Sequence, residues 1–506
     1  MEDKLKKLYD TIKKDSAYNH AMTLLSWDLE TAAAKKSVEG ISNTMETLSE
    51  LQYKNLVNDE FKELLYSIDE EKISELDRKV VKKLKKNVFE KMSKIPVDEY
   101  SKYKALVSKS QSAWEEAKNK NDYNIFKPYL KELIEYNKKF IKYRGYEHHP
   151  YNVLIDDFEE GMTVEKADKF FNLLKKDLVP FALKILNTKN EKIDKIRHKL
   201  QGKFDIEKQR KLSLELAKIL GFDFSKGVMS ESEHPFTIGM NNKDVRFTSH
   251  YLEEDILSGI FSTAHEVGHA IYEQQIDDKY DNSKVLSGGA TMGIHEAQSR
   301  FSENVIAKHR AYMPLMNRLI KKYLDLDLTD DELYLLANEV KNQYIRVDAD
   351  ELTYSIHVLI RYELEKEIFE NLDKEVNVDE LNEKWDNMYE KYLGIRPRNY
   401  AEGILQDSHW SGGLFGYFAS YAIGTAYASQ MFESLCKNVD IENVLRNEKF
   451  DEINKFLKET IHQYGASKSA DELIRSCCNE DFEPRCYINY LKEKFIDIYE
   501  IGEVNE

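Results

Sequence analysis

A chain of 506 residues can bury a large core, and length alone would suggest roughly three domains. Gly (20) and Pro (8) are scarce and no Pro-, Gly- or Ser-rich linker interrupts the chain, so a single, mostly helical body over 1–506 is expected instead. Asp+Glu 91 against Lys+Arg 74 gives a net charge of -17, which argues against a general nucleic-acid or anionic-membrane surface.

The first residues, MEDKLKKLYDTIKKDSAYNH, are charged throughout and lack the apolar core of a secretory signal. Nowhere is there an apolar run of about eighteen residues, so the expectation is a cytoplasmic protein with no membrane contact. To about residue 230 apolar residues recur three and four apart, as in FKPYLKELIEYNKKFIKY, the pattern of repeated amphipathic helix. Breaks are expected near Pro96, Pro150 and Pro180, and DRKVVKKLKKNVFEK reads as solvent-facing helix. The segment 234–250, HPFTIGMNNKDVRFTSH, carries two short β-type runs around a cluster of turn formers, predicting a β-hairpin or small sheet.

A helix follows, FSTAHEVGHAIYEQQ, with acids Glu253, Glu254 and Asp255 near its start and an apolar seam of Leu257, Phe261, Ala264, Gly268 and Ile271. The part at about 231–430 should hold the site. In it, WSGGLFGYFASYAIGTAYASQ predicts a bend or close backbone approach. The part at about 431–506 is again helical and holds all four cysteines, Cys436, Cys477, Cys478 and Cys486, in no metal-ligand spacing; they are expected to be reduced.

His265 and His269, four apart on a helix, have Cβ atoms about 5 to 6 Å apart, close enough for both imidazoles to reach one Zn²⁺ at about 2.0 to 2.1 Å. Glu266 projects about 100° round the helix, within reach of a metal-bound water but outside the ligand set, where a general base belongs. A third ligand six residues after His269 is excluded, because Tyr272 and Gln275 occupy the positions of the Gly and His of that longer motif. Downstream, SGGATMGIHEAQSRFSEN offers Glu296, with Glu303 nearly as good by spacing; the plain alternative for Glu296 is a pair with Arg300 at i+4.

The ordered motifs HPF (234–236), DVRFT (244–248), HEVGH (265–269), HEAQ (295–298), IRVDAD (345–350) and GILQDSHW (403–410) resemble the M32 metallocarboxypeptidases of the thermostable carboxypeptidase Taq type. LLSWDLET and YNVLIDDFEEGMT extend the resemblance over nearly the whole chain. The resemblance implies a mostly α fold, one large helical body with a deep groove and a small sheet beside the zinc helix, usually a homodimer. It implies Zn²⁺, with Co²⁺ able to substitute, on His265, His269 and Glu296, and Glu266 as the catalytic carboxylate. Departures are Ala297 after the ligand glutamate, AAAKK at 32–36, and Ala419 at a frequent proline position; none removes a ligand or catalytic group.

On this reading zinc activates a water, Glu266 takes its proton and passes it to the leaving amine, and His409 or Tyr417 donates to the oxyanion. Arg246 and Arg346 are the expected anchors for a substrate's free C-terminal carboxylate, since a guanidinium binds it bidentately and keeps its charge; the structural alternative for Arg346 is an ion pair with Asp350. His234 and Phe236 would shape the wall that meets the last residues of the peptide. Rival readings are an endo-acting oligopeptidase on the same zinc site and a non-catalytic peptide-binding scaffold, against which the presence of Glu266 weighs.

Overall fold

The computed structural model describes residues 1–501. Helices dominate. The principal ones in chain order are α1 (Glu2–Thr31), α2 (Val97–Lys120), α3 (Tyr123–Arg144) and α4 (Ile206–Leu220) before the sheet, then α5 (Ile256–Gln274), α6 (Met292–Arg300), α7 (Tyr354–Glu370), α8 (Phe418–Asn438) and α9 (Arg485–Tyr499). Among the described residues no helix is long and apolar enough to cross a membrane.

Between α4 and α5 lie three strands, β1 (Gly227–Glu231), β2 (Thr237–Asn241) and β3 (Asp244–Ser249). β2 and β3 form the expected hairpin, pairing antiparallel with Thr237 opposite Phe247. The third strand corrects the helical reading that ran to residue 230: β1 pairs parallel to β3, placing β3 in the centre and β2 at one edge. Its residues GVMSE carry no clean alternation, and Gly227, Ser230 and Glu231 are not strand formers, so only the neighbour β3 draws them into the sheet.

Pro180 does not break the chain. Residues 164–186 run as one continuous helical rod with a π-turn at Leu174–Leu178, and Pro180, whose missing N–H would otherwise orphan a carbonyl, sits at the first turn after it. Nor is 77–91 simply solvent-facing: most of its lysines are half-buried, with Lys83, Lys85 and Lys91 paired to Glu160, Glu70 and Asp156, and Val80, Val81, Leu84, Val88 and Phe89 are buried. These residues join Leu8, Ile12, Phe61, Leu65 and Ile68 in a small apolar cluster separate from the main core; from the rest of the chain it takes in Leu286.

The main core gathers α2 to α9, and α6 packs between α5 and α8. The crossing of α6 and α8 is close because Gly424 has no side chain: a Cβ there would stand 2.5 Å from Gly293 O and 2.8 Å from Glu296 Cβ. That is the close approach predicted for the Gly-containing aromatic stretch. α5 starts on its cap, Asp255, whose side chain accepts from Ser258 N, and its apolar residues from Ile256 to Ile271 are buried around nearly the whole circumference. The few polar groups on such a helix must therefore be matched by neighbours. The cysteines are all free thiols.

Candidate active site

α5 carries His265 and His269 one turn apart, and the Nε2 atoms of both converge on one carboxylate oxygen, Glu296 Oε2 on α6, at 3.7 and 3.6 Å. One ligand atom from each residue lies within 4.8 Å of the other two. Glu296 uses its other oxygen, Oε1, to accept from Arg300 Nε at 2.7 Å, so the i+4 pair and the ligand position coexist on one side chain. Against the effect of burial, Arg300 and the histidines hold this carboxyl well below its usual range.

The far nitrogen of each imidazole is anchored. His265 Nδ1 donates to Glu303 Oε2 at 2.9 Å, which places Glu303 behind the first histidine. Despite burial, Lys308 and Arg300 keep Glu303 ionised, so it can only accept. His269 Nδ1 lies 2.6 Å from His295 Nδ1, and His295 Nε2 lies 2.8 Å from Glu273 Oε1, which also accepts from Gly289 N. A carboxylate at the end of this path fixes the proton order: His295 donates to Glu273, His269 donates to His295, and the free lone pair of His269 is left on Nε2. Two imidazole Nε2 lone pairs and one carboxylate oxygen turned to a common point, with the outer nitrogens tied, fit zinc or a similar divalent ion.

Glu266 stands apart from this group. It is buried, and its Oε2 accepts from Thr237 Oγ1, 2.7 Å away on the edge strand β2, while Thr237 Oγ1 also lies 3.0 Å from the Glu266 carbonyl. Burial, only partly offset by His265, raises its pKa above the ordinary glutamate value, the direction a proton acceptor near neutral pH requires.

The other predicted residues fall into two groups. His234 is exposed, and Phe236 packs edge-on against Trp27 of α1, ring centroids 5.6 Å apart. Arg246 lies over the same Trp27 ring and holds Asp244 through Nε and Nη2, both at 2.8 Å; Nη1 has no partner among the described residues. In the second group Arg346 is buried, and its partner is not Asp350 but Asp407, reached by Nε at 3.0 Å and Nη2 at 2.8 Å. Asp350 instead caps the turn into α7 by accepting from Thr353 N.

Arg346 Nη1 donates to Tyr354 Oη, and the Tyr354 ring lies under the Arg300 guanidinium at 3.9 Å. A continuous chain thus runs from Glu296 through Arg300, Tyr354 and Arg346 to Asp407. Two residues on, His409 has its Nε2 3.2 Å from Tyr421 Oη, and its Nδ1 is buried with no partner among the described residues. Burial pushes the His409 pKa down to about 4, so the ring is neutral at pH 7. Tyr417 lies against His409 with centroids 5.1 Å apart, and after burial the charge of Glu296 is among the causes that raise its pKa.

Sequence reasoning missed Thr237, Glu273, Asp407 and Tyr421. Asp407 had a signal, since it stands inside the GILQDSHW motif; Glu273 lies two turns beyond His265 on the same helix, and only the intervening His295 gives it a role.

A helical body that sets an HEVGH helix against a carboxylate from a second helix, beside a small sheet, defines a metal-dependent hydrolase of the two-histidine, one-glutamate kind. The family model described as "Carboxypeptidase Taq (M32) metallopeptidase" matches residues 7–495. The chain is 40% identical to Carboxypeptidase 1 of Bacillus subtilis, covering 98% of each, and 34% identical to Thermostable carboxypeptidase 1 of Pyrococcus furiosus, covering 97% of this chain and 98% of the other. The solved structure of the Pyrococcus furiosus carboxypeptidase superposes with a TM-score of 0.91 at 32% identity, over 98% of this chain and 99% of that one. The chain belongs to the M32 family of metallocarboxypeptidases.

Proposed function

We propose that this protein is a zinc carboxypeptidase that removes residues one at a time from the free C-termini of peptides. The observation that carries the reading is the pairing of a three-donor cluster, His265, His269 and Glu296, with a separate buried carboxylate, Glu266, held by Thr237. Bound there, zinc would supply a Lewis acid that polarises the scissile carbonyl and activates a water. Glu266 accepts the proton of that water and passes it to the leaving amine. His409 and Tyr417 donate to the oxyanion; the unpartnered His409 Nδ1 is available as a donor in one tautomer.

Arg246, with Nη1 free, is the primary anchor for the substrate carboxylate, and Arg346, whose nitrogens are engaged by Asp407 and Tyr354, supports it. His234 and Phe236 line the wall beside Arg246. Cobalt is expected to replace zinc, and a cytoplasmic homodimer acting as a single peptidase unit completes the reading.

Mass spectrometry of a peptide digest tests it. Wild-type protein should shorten free peptides stepwise from the C-terminus and leave amidated ones intact, and Glu266→Gln should lose about 10²- to 10⁴-fold in kcat with its metal retained. Internal cleavage, or equal rates on amidated peptides, would support the endo-acting alternative instead. No cleavage with a full metal site would leave only a binding scaffold.

A further inference from the structure

The segment 407–417 holds both candidate oxyanion donors, and it is pinned from outside by α7. Arg361 and Glu365, four apart on that helix, are both fully buried and do not serve each other as hydrogen-bond partners. Arg361 takes the front of the segment, donating to Asp407 Oδ2 from Nε at 2.8 Å and Nη2 at 2.7 Å. Glu365 takes the back: its Oε1 accepts from Trp410 Nε1 at 2.6 Å, and its Oε2 accepts from Gly416 N at 2.7 Å and Tyr151 Oη at 2.6 Å.

Trp410 adjoins His409 and Gly416 adjoins Tyr417. One carboxylate therefore ties together the two ends of the loop 410–416, and the rings of the flanking His409 and Tyr417 come to rest 5.1 Å apart. The loop backbone is threaded closely enough to need glycine: Gly416 has φ +92°, and a Cβ there would stand 2.5 Å from Leu154 O. None of Glu365's three donors is charged, and burial pushes its pKa up to about 7, so a surface-type ion pair does not explain it. A buried carboxyl without a paired cation costs stability unless its full set of hydrogen bonds is made, and here that set is the loop itself.

We propose that Glu365 is a positioning residue for transition-state stabilisation, acting as a staple that closes the loop 410–416 and thereby sets His409 and Tyr417 at the oxyanion. The proposal rests on the oxyanion role given to those two residues above. In Glu365→Gln one of the two oxygens becomes an NH₂ group. Either the Trp410 indole N–H or the pair Tyr151 and Gly416 then faces a donor, and one end of the loop is released.

The test is a double-mutant cycle on the zinc-loaded protein, using an N-blocked dipeptide with a free carboxylate and following kcat, KM and metal content. Glu365→Gln should lower kcat by about 10- to 100-fold, the scale of a roughly 1 Å misplacement, with KM and metal content within about twofold of wild type. In the background His409→Ala/Tyr417→Phe the same substitution should cost less than about twofold, because the donors it positions are gone. Trp410→Phe, which deletes the indole N–H and keeps an aromatic ring, should repeat the pattern and decides the matter if Glu365→Gln fails to fold. An undiminished loss on top of His409→Ala/Tyr417→Phe, or a wild-type kcat for the staple variants, overturns the staple alone. A wild-type kcat in His409→Ala/Tyr417→Phe itself overturns the oxyanion role and the staple with it.

Discussion

Glu303→Gln should weaken metal binding without touching a ligand. In the wild type Glu303 Oε2 accepts from His265 Nδ1 at 2.9 Å and from Arg300 Nη1 at 3.2 Å, and Oε1 accepts from Lys308 Nζ at 3.1 Å. Glutamine keeps the shape and can still accept from His265, so the ring stays oriented, but the charge that makes the imidazole a better base is gone. Removing partners of this kind typically costs about 10- to 100-fold in metal affinity, or about 1.4 to 2.7 kcal/mol. The upper end is expected here. Arg300 divides its charge between Glu303 and the proposed ligand Glu296; with Glu303 neutral it pulls on Glu296 alone, at 2.7 Å, and would compete with an ion for that carboxylate. Lys308 keeps Asn304 Oδ1 at 3.0 Å, so its loss of a partner is only partial. Competition against a chelator of known zinc affinity measures the effect directly, and turnover at saturating zinc should recover most of the wild-type kcat. An affinity within about twofold of wild type would refute the account of Glu303 as the group that tunes His265.

His295→Phe removes the link between His269 and Glu273 and should lower zinc affinity by about 10- to 100-fold in the same competition assay. Gly424→Ala pushes a methyl group into Gly293 O and Glu296 Cβ; it should cost about 1 to 3 kcal/mol in denaturant unfolding and also loosen zinc binding, unlike a distant overpacked site. His462 is buried with its pKa pushed down to about 3, so the folded state holds it neutral while the unfolded chain protonates it near pH 6.5. Its contribution is therefore fully present above pH 6.5 and is lost as pH falls toward 3, a loss of up to about 5 kcal/mol over that window. His462→Phe, although less stable at pH 7, should show a shallower fall of stability between pH 6.5 and 4; an unchanged slope would contradict it.

The parts of the site fixed by local spacing were readable in the sequence. His265, Glu266 and His269 follow from helix periodicity within five residues, and the β2–β3 hairpin from its turn formers. Glu296 did not follow from spacing, because 26 residues of helix and irregular loop separate it from His269, and only the motif order chose it over Glu303. The structure gives the physical distinction: both carboxylates reach the same imidazole, but Glu303 meets Nδ1 and Glu296 faces Nε2. Arg346 shows a different limit. Its neighbour at i+4, Asp350, was the structural alternative to a substrate-anchoring role, yet that turn is a short 3₁₀ segment and not an α-helix, and the side chain reaches across to Asp407 in a segment 61 residues away. β1 was illegible for the corresponding reason in sheets, since its pairing with β3 supplies a strand identity that its own residues lack.

The small apolar cluster formed by the first ninety residues also bears on the site. It closes over Leu286, and five residues further on begins the segment that caps α6. Between them, Gly289 N donates to Glu273 and Ala290 N to Tyr272 Oη. Opening of the amino-terminal helices would therefore remove one anchor of a strip whose amides end on the Glu273 relay, while the bond from Ala466 N to Leu286 O keeps the other. In hydrogen exchange, the Gly289 amide is expected to open with the amino-terminal helices, whereas Ala290, which packs on the main core, is expected to open with α6. The proton order of His269 is thereby coupled, through Glu273 and Gly289, to the packing of the amino-terminal helices over Leu286.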